Sequence, residues 1–178
     1  MRHNRPCSTL AEISTAAGQR SSPEVQISGK SRPADLLFHS WEASRDLAVD
    51  LTVRHPLAAS SQWNPRACQL AEAEAAKNQE SLSVCNIAGV DFTPLAVSTF
   101  GAVGPQGRAF LNKLFARYAK RFGRELEERF AGQFQKQCWE RFSVALHKAI
   151  GTQLSAVYTQ LGGVVGAPYD APECEPPS

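Results

Sequence analysis

Asp35 stands just before the apolar run Leu36-Leu37-Phe38, and Asp50 lies inside Leu47-Ala48-Val49-Asp50-Leu51-Thr52-Val53. An ionised carboxylate within a buried strand is costly unless something pairs with it. Two carboxylates at the ends or bends of adjacent strands make an oxygen cage for a hard divalent cation, Mg²⁺ or Mn²⁺. Such a cation takes one or two carboxylates, keeps several waters, polarises a phosphate and lowers the pKa of the attacking water. A lysine beside the cage would orient that water or stabilise charge developing on the phosphate. The same residues also suit a purely structural role, with Asp50 paired to Arg32 or Arg54 and Asp35 acting as a turn-side cap.

The elements that must position these groups are legible in outline. Residues 8–17 read as a helix stopped by Gly18. Val25-Gln26-Ile27 alternates like a short strand, Ala34–Phe38 reads as a second, and Leu47–Val53 as a third and central one, buried on both faces. From Pro65, ACQLAEAEAAKNQESL is built from strong helix formers. Phe92–Phe100 reads as a fourth strand, with Pro94 weakening it or marking an edge.

Leu111, Leu114, Phe115, Tyr118, Phe122, Leu126, Phe130 and Phe134 then recur every three or four residues, the spacing of an amphipathic face. Gly123 and Gly132 should break that region, and a further helix should run from about Gln135 to Leu161. The predicted fold class is α/β, in the sense of a mixed (α+β) sheet with helices on its faces. It has an α-β-β-β-α-β core, with hairpins among the first three strands and a helical crossover to the fourth.

Composition sets the frame. The chain of 178 residues has a hydrophobic content of 43%, enough for one domain with a core. That domain is expected over residues 1–160, including a C-terminal helical extension. Residues 161–178, rich in Pro and Glu, are expected to be a disordered tail. No apolar run is long enough to span a membrane, and the N-terminal residues lack a secretory signal, so an intracellular location is expected. Five scattered cysteines, none in a CxxC pair, fit reduced thiols better than disulfides or a zinc site. The net charge of +2 conceals a basic excess within residues 108–148, which hold ten Lys and Arg against four acidic residues. Arg117, Lys120, Arg121 and Arg124 are candidate nucleic-acid contacts, although such a run also suits a solvated helix face.

Several motifs, taken in order, resemble the PD-(D/E)XK nucleases, and within them the restriction-enzyme-like endonuclease region of non-LTR retrotransposon and reverse-transcriptase-associated polyproteins. They are RHN at 2–4, RPAD at 32–35, AVDLTV at 48–53, AEAEAAK at 71–77, GVDFTPLAVSTFGAVG at 89–104 and ERFSVALHKA at 140–149. The resemblance implies a restriction-endonuclease-like fold and a metal-dependent DNA endonuclease that nicks DNA by phosphodiester hydrolysis. A catalytically inactive nuclease-derived binding or interaction module is the alternative. It implies Asp35 and Asp50 as metal ligands and Lys77, on the helix after the third strand, as the catalytic lysine. Thr52 stands where the (D/E)XK lysine is otherwise expected. It further implies DNA as partner, the rest of a reverse-transcriptase polyprotein as another, and a nuclear site of action. Glu12 and Glu24 are further candidate metal-shell residues. On the same resemblance His3 would match the last His of a zinc module, for which Cys7 does not supply the remaining ligands; an ordinary terminal His is the alternative. Glu80, Ser81 and Ser98 depart from the pattern, where that branch carries Lys, Tyr and Glu.

Overall fold

A computed structural model of the chain describes residues 4–23, 34–55, 69–123 and 131–160. In chain order it comprises α1 (Asn4–Ala16), β1 (Ser21–Pro23), β2 (Leu36–Glu42), β3 (Arg45–Arg54), α2 (Gln69–Ile87), β4 (Asp91–Ser98), α3 (Pro105–Gly123) and α4 (Ala131–Gln160). The four strands form one sheet in the order β1-β2-β3-β4. The first three pair antiparallel and β3 pairs parallel with β4, so the expected hairpins and the helical crossover through α2 are both present.

α1 begins at Asn4 rather than at residue 8. Pro6 does not prevent this, because it falls in the first turn, where a backbone N–H has no intrahelical acceptor. β2 runs on to Glu42 instead of ending at Phe38, since a two-residue turn at Ala43-Ser44 lets Glu42 pair with Arg45. Both turn residues have positive φ, 48° and 62°, as a tight hairpin turn of the I′ kind requires. α3 is described as far as Gly123, and residues 124–130, where the expected break would begin, lie outside the described residues. Gly132, by contrast, lies inside the first turn of α4 and breaks nothing. The strand expected at 25–27 and the tail at 161–178 lie outside the described residues, as do His3, Glu24, Pro65 and Arg124.

Alternation along β3 explains the layering. Leu47, Val49 and Leu51 are buried in a large apolar cluster with Leu10 and Ile13 of α1, Phe110, Leu111, Leu114 and Phe115 of α3, and Phe142 and Leu146 of α4. Ala48 points the other way, into a small cluster with Leu37, Phe92 and Cys85 of α2. Three helices therefore cover one face of the sheet and α2 covers the other. The buried residues of α2 are Ala73, Glu74, Ser81 and Cys85, all small or polar, which permits a close approach to the sheet.

Pro94 sits in β4, which is an edge strand, as its missing N–H allows. Beyond Pro94 the chain folds back on that edge. Gly104 N donates to Ala96 O at 2.8 Å and Ser98 N to Ala102 O at 2.8 Å. Ser98 Oγ accepts from Ala102 N at 3.0 Å and Phe100 N at 3.3 Å, so this residue fastens the turn leaving β4.

No helix among the described residues is long and apolar enough to cross a membrane. Cys7, Cys85 and Cys138 are buried and carry no disulfide. Burial pushes the Cys138 thiol up to about 11, with Arg141 opposing the shift, and pushes Cys85 up as well.

Candidate functional site

Asp50 occupies the α2-facing side of β3, beside Ala48, and 15% of its side chain is exposed. Across the layer, Lys77 lies one turn beyond the small residue Ala73, where α2 runs close to the sheet. Its Nζ is 3.0 Å from Asp50 Oδ2 and 3.2 Å from Glu80 Oε2. Burial lowers the Lys77 pKa, but the hydrogen bonds and charges of Asp50 and Glu80 outweigh it and hold the ammonium above the ordinary lysine value. Lys77 is therefore a fixed cation at neutral pH and an electrostatic donor, not a proton acceptor.

Asp35 lies where β2 leaves β3. Its backbone N donates to Val49 O at 3.0 Å. Its Oδ2 accepts Leu51 N at 2.8 Å, taking over a β3 donor as the two strands part. The carboxylate is thus anchored on the β3 backbone next to Asp50, and Asp35 is one of the residues lining a cleft of about 950 Å³ between α1 and the start of β2. Glu12 of α1 lines the same cleft and pairs with Arg141 of α4 at 3.1 Å. Lys77 and Asp50 are thus in direct contact, whereas Asp35 is tied to the β3 backbone at Val49 and Leu51, the residues on either side of Asp50.

Whether these residues suit a divalent cation turns on the donor set. The oxygens are hard, and Mg²⁺ needs no more than two carboxylates with water completing its shell. Asp35 Oδ2 accepts from Leu51 N and Asp50 Oδ2 from Lys77 Nζ, and a carboxylate oxygen carries more lone pairs than one such bond uses. The pair fits such an ion on chemistry. Among the described residues, however, no group of three or more His, Cys, Asp or Glu side chains gathers as a metal cage.

The basic candidates lie elsewhere. Arg117 stacks its guanidinium 3.8 Å from the centroid of the Trp41 ring and donates to Trp41 O at 2.6 Å and Gln19 Oε1 at 2.9 Å. It therefore ties α3 to the far end of β2. Lys120 and Arg121 are exposed, and with Arg117 they line a cleft of about 600 Å³ that also includes Ser40 and Trp41. At a rise near 3.3 Å per residue, Trp41 is about 20 Å along β2 from Asp35.

Two features escaped sequence reasoning. Glu74, fully buried, accepts Gly107 N at 2.8 Å and Gln106 N at 3.0 Å, so it caps the α3 N-terminus from another helix. A Cβ on Gly104 would overlap that carboxylate, and one on Gly107 would lie 2.5 Å from Leu95 Cδ1. The glycines of GPQG are the only sequence trace of this arrangement. The second feature is a chain of contacts on β1, β2 and β3. Ser22 Oγ is 2.8 Å from His39 Nε2, and His39 Nδ1 is 3.2 Å from Asp46 Oδ2. Strand alternation puts His39 on the Leu37 face, but only the hairpin register reveals Asp46 opposite it. No protein-family model matches the chain, and no curated protein matches it at a significant level.

Proposed function

We propose that the chain is a divalent-cation-dependent phosphodiester hydrolase domain acting on DNA, with a restriction-endonuclease-like arrangement of its site. The observation that carries this reading is the 3.0 Å contact from Lys77 on α2 to Asp50 on β3. It puts an ammonium beside the strand carboxylate from the helix to which the motif resemblance assigns it, although Thr52 holds the usual lysine position. Asp35 and Asp50 would hold the cation, which when bound supplies Lewis acidity toward the phosphate and a more acidic water. Lys77, permanently charged, stabilises negative charge building on the phosphoryl oxygens and orients the attacking water by hydrogen bonding. Asp50 holds Lys77 in place, and the Leu51 amide holds Asp35. Lys120 and Arg121, far along the sheet, would grip the backbone of a bound duplex several base pairs from the scissile bond.

A second reading, a nuclease-derived binding module without turnover, is favoured by one contact. Glu80 draws on the same ammonium as Asp50 and sets a negative charge where a phosphate would approach. The test is nicking of supercoiled plasmid with and without Mg²⁺, alongside calorimetry of cation binding. The hydrolase reading expects Mg²⁺-dependent nicking that Asp50→Ala abolishes and Lys77→Ala slows by about 100-fold, the scale of one electrostatic donor. Absence of both nicking and cation binding in the unaltered chain would leave the binding module. Equal nicking by Asp50→Ala would trace the activity to a contaminant.

A further inference from the structure

The contacts among Ser22, His39 and Asp46 have the connectivity of a nucleophile, a base and a residue that orients the base. Asp46 is acceptor-only when ionised, so its Oδ2 fixes the proton of His39 on Nδ1. That leaves the lone pair of Nε2 to accept the Ser22 hydroxyl, 2.8 Å away. Asp46 is itself held, since its Oδ1 accepts Ser40 N at 2.8 Å. Ser40 presents that N–H at a φ of 50°, a left-handed conformation that a serine rarely adopts. The strand irregularity between Phe38 and Glu42 is where this happens.

The imidazole is fixed from its backbone as well. His39 N donates to Arg20 O at 2.9 Å, and His39 O accepts from the Gln19 side-chain amide. Base and orienting carboxylate are each about one-third exposed. Ser22 and His39 open onto a cleft of about 290 Å³, with Arg20 and Thr15 also in its wall. These residues belong to neither the Asp35–Asp50–Lys77 group nor the Lys120–Arg121 cleft.

We propose that Ser22, His39 and Asp46 form a second, nucleophilic centre that hydrolyses short carboxylic esters. Ser22 Oγ bonds to the carbonyl carbon as its proton passes to His39 Nε2. The bond to the leaving alcohol breaks, and His39 returns the proton to that alkoxide. Water then attacks the Ser22 ester, giving its proton to Nε2. The acid leaves, and the proton returns to Ser22 Oγ. Asp46 keeps the imidazole in the tautomer this cycle needs and stabilises its charged form. The Arg20 guanidinium is the cation at the cleft wall for the negative charge that forms on the carbonyl oxygen. The small cleft selects a short acyl group.

The inference stands apart from the nuclease reading, and its experiment is independent of metal. The full chain is treated in EDTA with a fluorophosphonate probe, which phosphonylates activated serines with loss of fluoride, and is assayed on p-nitrophenyl acetate. Peptide mass spectrometry of the unaltered chain should place the adduct on Ser22 within the tryptic segment 21–30, distinguished from Ser21 and Ser28 by fragment ions. His39→Gln should slow both labelling and ester hydrolysis by about 100-fold, the contribution of a general base. Asp46→Asn should shift the pH dependence of labelling, which a purely structural hydrogen bond would not do. No adduct on Ser22 in the unaltered chain overturns the proposal, as does labelling at an undiminished rate in His39→Gln.

Discussion

The two faces of the sheet are built on opposite principles. Beneath α1, α3 and α4, β2, β3 and β4 present Leu36, Phe38, Val49, Leu51 and Leu95 to a large apolar cluster that includes three interlocked aromatics, Phe38, Trp41 and Phe110. Beneath α2, the same strands offer Ala48 and Asp50, and the helix answers with small residues, Lys77 and the buried Glu74. The first face holds by area removed from water, which is insensitive to direction. The second combines a smaller apolar cluster with a few charge-assisted contacts, each of which demands particular atoms at particular distances. Val49 and Asp50, adjacent in sequence, belong to different faces. The lesson is that one strand can supply stability from one side and chemistry from the other.

The comparison breaks most visibly at Phe115, which is fully buried against the ring of Trp139. Phe115→Ala should cost about 3–5 kcal/mol in urea unfolding, as cavity-forming changes do. On the polar face the counterpart is Glu74. Glu74→Ala strips the α3 N-terminus of a charged acceptor making two backbone bonds and should cost about 3 kcal/mol. A loss below about 0.5 kcal/mol for Glu74→Ala would show that the second face contributes nothing to stability.

The neighbouring pair sharpens the contrast. Val49→Ala should cost about 2 kcal/mol. Asp50→Ala should stay within about 1 kcal/mol, because Lys77 keeps Glu80 and is partly solvated. Differential calorimetry on the two variants decides this.

Alkaline titration separates two causes of a raised pKa. Cys138 is raised to about 11 by burial, whereas Lys77 is raised because carboxylates outweigh burial. A folded-state pKa above the unfolded one means that stability is complete below the unfolded value and is lost as pH climbs toward the folded one. Stability should be level through neutrality and begin to fall near pH 9.0, the ordinary thiol value. A further loss should set in above 10.5 as Lys77 begins to discharge in the unfolded chain. Urea midpoints at pH 7, 9 and 10.5 test the first fall, and Cys138→Ala should remove its share.

The smallest effect touches neither face. Ser44→Gly, at a φ of 62° in the β2–β3 turn, should raise stability by up to about 1 kcal/mol, measured by the shift in urea midpoint.

The sequence was readable where a period exists. The near-continuous apolar run pointed to β3 and its burial on both faces, and the three-to-four spacing pointed to α3. Of that stripe, Leu111, Leu114, Phe115 and Tyr118 join the large cluster, while Phe122 is exposed and Leu126 and Phe130 lie outside the described residues. It was unreadable where geometry comes from pairing. Nothing local in AEAEAAK tells that Glu74 is buried while Glu72 is exposed, because that choice is made by the α3 amides thirty-two residues away. Arg117 looks like any basic residue on a helix, yet Trp41 and Gln19 claim it through tertiary packing. Lys77 was found by motif order, and its approach to Asp50 depends on the small residues that let α2 lie close. Ser22, His39 and Asp46 could be joined only once the hairpin register was known.

The return of the chain onto β4 bears on how the molecule behaves in a crowded solution. Along the outer rim of β4, position 94 has no N–H to offer, Ala96 O is taken by Gly104, and Ser98 N is taken by Ala102. At the opposite rim, β1 is three residues long and ends in Pro23. Among the described residues, neither rim offers a stranger's extended segment a long ladder of vacant donors and acceptors. Strand-by-strand recruitment of further copies, the usual route from an open sheet to a fibril, is therefore obstructed along the β4 rim by the chain's own return onto it.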